Sequence, residues 1–130
     1  MQQHIKNWLL DKALFIALGN SFLIAILSLI NAEHIPDTGI EISDKFLHVF
    51  AYVVLMWSWL LVQRDNKSFK RGLILLIVLM IYGIILEVLQ GGININRTTD
   101  WKDVIANLLG LILGLLSFKK LYKQVFKENR

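Results

Sequence analysis

Four long apolar runs, Ala13–Ile30, Phe46–Val62, Leu73–Leu89 and Val104–Leu121, dominate this chain and show almost no polar face. A helix of a soluble domain needs a polar side opposite its apolar stripe. Runs of this length instead match the ~17–25 residues that carry a helix across a ~30 Å hydrocarbon core. A helix is forced there, because the backbone must satisfy its own amides and carbonyls in lipid. The third run is nearly unbroken Leu, Ile, Val and Met, each worth about −0.3 to −0.6 kcal/mol towards insertion, which offsets Glu87 near its end. The fourth is the least apolar. It carries Asn107, Gly110 and Gly114, and its last turn holds Lys119 and Lys120, whose stems can snorkel to the headgroups. The expected fold is an all-α, four-helix transmembrane bundle forming one domain over residues 1–130.

Composition agrees with this reading. Hydrophobic residues make up 55% and charged residues 18%, and the charges lie in short clusters between the runs. The absence of cysteine excludes a disulfide framework and any thiolate metal site. The net charge of +4 does not indicate nucleic acid, because its distribution follows the runs. Lys6 and Lys12 precede the first run, and Arg64, Lys67, Lys70 and Arg71 lie between the second and third. Lys119, Lys120, Lys123, Lys127 and Arg130 close the chain. The alternate segments hold only Lys45, Arg97 and Lys102. Eleven cations against three place both termini and the second loop on the cytoplasmic side, and the first and third loops outside. Trp57 and Trp59 then fall where a cytoplasmic aromatic belt is expected. The basic start, first run and Ala32 loosely resemble a secretory signal. The run is longer than an ordinary signal core and Ile30 suits cleavage poorly, so the segment is read as a retained span.

The polar residues within and beside the spans gather at one end. Span two opens with Ser43, Asp44, Lys45, His48 and Tyr52; span three ends with Glu87 and Gln90; Arg97, Asp100, Asp103 and Asn107 lead into span four. With the orientation above, all of them lie at the outer face. Asp44, His48 and Tyr52 are four apart and share a helix face. Asp100, Asp103, Asn107, Gly110 and Gly114 form a second stripe, polar outside and small inside. Gly110 and Gly114 make a small-xxx-small pair that admits another helix closely, and Gly83, one turn before Glu87, leaves room for a neighbour. Ionisable groups are costly in lipid, so these faces are expected to turn towards one another. Span one contributes none of them and is expected to serve as anchor and packing partner. The stretch Gly91–Thr99 reads as a turn-rich loop, and Asp100 as the start of span four.

These blocks carry a resemblance. Asp44-Lys45-x-x-His48-x-x-x-Tyr52, Glu87-x-x-Gln90, Arg97-x-x-Asp100-x-x-Asp103 and Asn107-x-x-Gly110, in this order and each at the end of an apolar run, resemble the VanZ-like family. These are small membrane proteins named for one linked to teicoplanin resistance, and the match covers roughly Ile30 to Leu116. The resemblance implies a helical bundle with an outward polar site in a bacterial cytoplasmic membrane. It specifies no reaction, and does not by itself make the chain a resistance factor.

The residues support several readings. In one, the cluster is a structural network, with Lys45 or Arg97 neutralising Glu87, Asp100 or Asp103. In another it is a site for an anionic lipid or a lipid-linked cell-wall precursor. Lys45 and Arg97 would then meet phosphate, Arg97 through its bidentate fork. Glu87, Gln90, Asp100, Asp103, Asn107 and Tyr52 would line the site, and His48 would act as general base or nucleophile oriented by Asp44. Glu87, Asp100 and Asp103, with Asn107 and Gln90, also form a set of oxygen ligands for a hard divalent cation. No dense carboxylate motif backs that set and Arg97 competes for it, so no metal ligand is assigned and no cofactor is specified. A third reading is a binding or shielding factor that alters glycopeptide sensitivity. Transport would require a homo-oligomer, since four short helices hardly enclose a path.

Overall fold

The computed structural model describes residues 2–30, 41–65, 68–93 and 100–126, and among them every element is helical. Five helices follow in order: α1 Gln2–Asp11, α2 Ala13–Leu29, α3 Glu41–Val62, α4 Phe69–Ile93 and α5 Trp101–Phe126. Helices α3, α4 and α5 are each long and apolar enough to cross a membrane, and a fourth span results if the bent pair α1–α2 counts as one. These helices run past the apolar limits read from sequence. The polar residues at their ends continue the helix, which keeps the backbone bonded as it leaves the hydrocarbon.

The first span differs from expectation. The chain bends by 67° between α1 and α2, with Lys12 at the break in a near-bridge conformation (φ −99°, ψ 8°). No residue of α1 is buried. Ile5, Trp8 and Leu9 are spaced at helical intervals that were legible but too short to read as a span. Helix α2 has 17 residues, about 25 Å at 1.5 Å per residue, which is near the lower limit for crossing.

Packing centres on α3 and α5. A methyl built on Gly114 would lie 2.7 Å from Met56 Cβ and 3.1 Å from Val53 O, and one on Gly110 would meet Val49 O and lie 2.9 Å from Tyr52 Cβ. The two glycines therefore let the α3 backbone lie directly on α5, as their four-residue spacing predicted. Tyr52, Leu55 and Met56 of α3, Leu75 and Leu79 of α4, and Leu111 of α5 form the buried core. Large apolar side chains such as Phe15, Phe22, Ile77 and Leu116 point outwards, as a lipid-facing surface requires.

Side-chain hydrogen bonds tie the helices together. Trp57 and Trp59 are half-buried helix ties: Trp57 Nε1 donates to Ser117 Oγ and Trp59 Nε1 to Ser21 Oγ, each at 3.0 Å. Helix α2 packs against its neighbours, as expected, and takes part in their hydrogen bonding. Its carbonyls accept hydrogen bonds from two side chains of α4, Tyr82 Oη to Ser21 O and Gln90 Nε2 to Ser28 O. Ser28 O is among the last carbonyls of α2, which have no partner within their own helix.

Candidate functional site

The outermost layer is built on the start of α5. Asp100 caps that helix: its Oδ1 accepts the Lys102 backbone N–H at 2.9 Å, and its Oδ2 receives Lys45 Nζ at 2.8 Å. The same ammonium donates to Asp103 Oδ1, tying α3 to the first turn of α5 through two carboxylates. The Lys45 ammonium, followed by the Lys102 backbone N–H, holds the Asp100 carboxyl below the usual carboxylate range. Asp103 is buried at 5% exposure, in the first helical turn where the backbone dipole favours negative charge.

One turn inward, His48 Nδ1 lies 2.9 Å from Asn107 Oδ1. The amide oxygen only accepts, so Nδ1 carries the proton and Nε2 presents a lone pair. That Nε2 lies 4.0 Å from Asp103 Oδ1, too far for a hydrogen bond. Helix α4 brings Glu87 to the same place: His48, Glu87 and Asp103 each offer one ligand atom within 4.8 Å of the others. The floor is formed by Tyr52 and Asn107 over Gly83, where a methyl would lie 3.0 Å from Tyr52 Oη and 3.4 Å from Asn107 Nδ2. Glu87, Asn107 and Tyr52 are all buried. Among the described residues, every buried side-chain N or O atom has a partner.

The structure thus brings together Lys45, His48, Tyr52, Glu87, Asp100, Asp103 and Asn107 from three helices. It turns Gln90 aside, towards α2. The partner on His48 Nδ1 is Asn107 across the interface. Asp100 is engaged as cap and salt bridge, while Glu87 and Asp103 lie close to His48. Arg97 and the Asp44 side chain lie outside the described residues. Ser21 and Ser28 were not singled out from the sequence; their only mark was a hydroxyl residue within an apolar run.

The opposite end of the bundle has a different character. A cleft of about 290 Å³ between α3, α4 and α5 is lined by Arg64, Lys119, Lys123, Gln63, Phe118 and Tyr122 among others. Among the described residues, one end thus holds Glu87, Asp100 and Asp103 beside Lys45, and the other Arg64, Lys119 and Lys123.

A family model described as VanZ/LLP1 matches residues 3–123. No curated protein and no solved structure matches the chain.

Proposed function

The chain belongs to the VanZ/LLP1 family, and from that premise we propose that it is a multi-pass protein of a bacterial cytoplasmic membrane whose polar cluster engages an anionic lipid or lipid-linked cell-envelope headgroup at the outer leaflet. The observation that carries this reading is the meeting of Glu87, Asp103, Asn107 and His48 at one end of an otherwise apolar bundle. Ionisable groups at membrane depth are expensive and mark sites of function more often than of packing. A headgroup is the polar molecule present at that depth.

The orientation rests on charge. Both termini and the loop around Arg64–Arg71 are cytoplasmic in this reading, and the basic cleft at that end supports it. Lys45 keeps a role although two aspartates engage it. Its ammonium has three donors, two are used, and its side chain is 32% exposed. Among the described residues nothing takes the third donor, which would meet a phosphate oxygen, and in this reading Arg97 would be a second cation. Binding without chemistry would make the chain a shield for a lipid-linked precursor, which is the form that would alter glycopeptide sensitivity.

A second reading, a purely structural network, is favoured by the complete pairing of buried polar side chains. Buried pairs of this kind fix helix register while adding little stability. The two readings separate on the lipids that co-purify with the chain, identified by mass spectrometry after gentle extraction. A headgroup site enriches phosphate-bearing lipid over the bulk membrane, and Arg97→Lys lowers that enrichment because the bidentate fork is lost while the charge stays. Lipid of bulk composition, unaltered by Arg97→Lys, would leave only the structural network.

A further inference from the structure

We propose that His48, Glu87 and Asp103 form a binding site for one divalent cation of borderline hardness, zinc or manganese, at the centre of the polar cluster. Three observations lead there. First, one ligand atom from each residue, contributed by α3, α4 and α5, lies within 4.8 Å of the other two. A tetrahedral site with bonds of about 2.0–2.2 Å separates its ligand atoms by roughly 3.4 Å, so the cluster contracts by up to about 1.4 Å to close on an ion.

Second, the imidazole is set as a metal ligand is set. Its Nδ1–H donates to Asn107 Oδ1 at 2.9 Å, which fixes the tautomer and aims the Nε2 lone pair into the cluster. That lone pair faces Asp103 Oδ1 at 4.0 Å with no hydrogen bond between them. A cation held by this Nε2 and by the Asp103 carboxylate would sit between α3 and α5.

Third, charge favours the ion. Glu87 and Asp103 are buried at 4% and 5% exposure, and the Lys45 ammonium bridges Asp103 and Asp100. A divalent ion brings positive charge to two buried carboxylates at a depth where ionised groups are costly. Lys45 need not leave, because it holds Oδ1 of Asp103 and the second carboxylate oxygen remains for the ion. The mixture of one imidazole and two carboxylates suits zinc or manganese, whereas magnesium and calcium prefer oxygen alone.

Three protein ligands leave a fourth position open. There the ion would meet a phosphate oxygen, which explains how an acid-rich cluster accepts an anionic headgroup. This last step rests on the headgroup reading; the ion site does not.

The test uses the full chain without a histidine tag, stripped with a chelator in detergent and given Zn²⁺ or Mn²⁺ separately. The expected result is one ion per chain after desalting. His48→Gln and Glu87→Gln should each weaken binding by at least roughly tenfold, while His4→Gln on α1 leaves it unchanged. X-ray absorption on the wild-type zinc form should show one imidazole with oxygen ligands, which keeps the test decisive if a variant fails to fold. Less than about 0.2 ion per chain with both metals, full retention by His48→Gln, or a shell of oxygen alone would overturn the site. An ion bound with no headgroup preference keeps the site and removes the headgroup reading. Headgroup preference without an ion removes the site alone.

Discussion

His48 on α3 and Asn107 on α5 face each other across the tightest helix pair of the bundle, Nδ1 to Oδ1 at 2.9 Å. The contact exists because Gly110, one turn beyond Asn107, lets the α3 backbone come down on α5 at Val49 and Tyr52. Close backbone packing and imidazole orientation are thus consequences of the same glycine stripe.

That contact has a measurable energy. A double-mutant cycle on His48→Ala and Asn107→Ala, read by reversible unfolding in detergent, should give a coupling of about 0.6 kcal/mol and no more than ~2 kcal/mol, the range of side-chain hydrogen bonds between membrane helices. Additive single effects would show that the two side chains do not interact.

The glycines should separate into two classes. Gly110→Ala and Gly114→Ala drive a methyl into backbone or Cβ atoms of α3 and should destabilise by about 1–3 kcal/mol, as overpacking does. Gly19→Ala meets nothing within 4 Å. It should be neutral or stabilise by up to ~1 kcal/mol, since alanine favours helix. Equal melting temperatures for all three variants would contradict the α3–α5 interface.

Asp100 sets a pH dependence. Its carboxyl is held below its unfolded value by Lys45 and by the Lys102 backbone N–H. It therefore contributes stability above the unfolded value near pH ~3.9, and loses it as pH falls through the folded value. Lys45, Lys102 and Asp103 border the same group, so the comparison with Asp100→Asn isolates its share. The variant's thermal stability should fall less steeply than wild type below about pH 4; identical acid profiles would remove the role of Asp100 as charged cap.

Much of this arrangement was legible from spacing. A helix repeats every 3.6 residues, so Asp103, Asn107, Gly110 and Gly114 had to share a face, and the glycines had to mark a close approach. Spacing within one helix does not say which neighbour lies opposite. For that reason the contact of His48 Nδ1 with Asn107 from α5 could not be read from sequence. Gln90 shares its face with Glu87 by sequence, yet it turns to α2, where its acceptor is the carbonyl of Ser28. A backbone acceptor leaves no trace in side-chain pattern. The bend at Lys12 was hidden for a related reason: the apolar run starts after it, and the short amphipathic segment before it has no length to stand out.

The orientation predicts opposite compartments for two fusion points. A periplasm-active reporter placed after Asn94 should be active, and one after Lys67 inactive, with a cytoplasm-active reporter giving the reverse. The same compartment for both points would separate Glu87 from the face assigned to Lys45 and His48.

The headgroup site is tested most directly by native mass spectrometry of the delipidated chain titrated with an anionic phospholipid and with its zwitterionic counterpart of equal acyl length. A site at the shared Lys45 ammonium predicts one anionic lipid per chain, bound at least roughly tenfold tighter than the zwitterionic one, a difference of about 1.4 kcal/mol, with Lys45→Gln narrowing the gap. Equal affinities for the two lipids on the folded wild-type chain would contradict it.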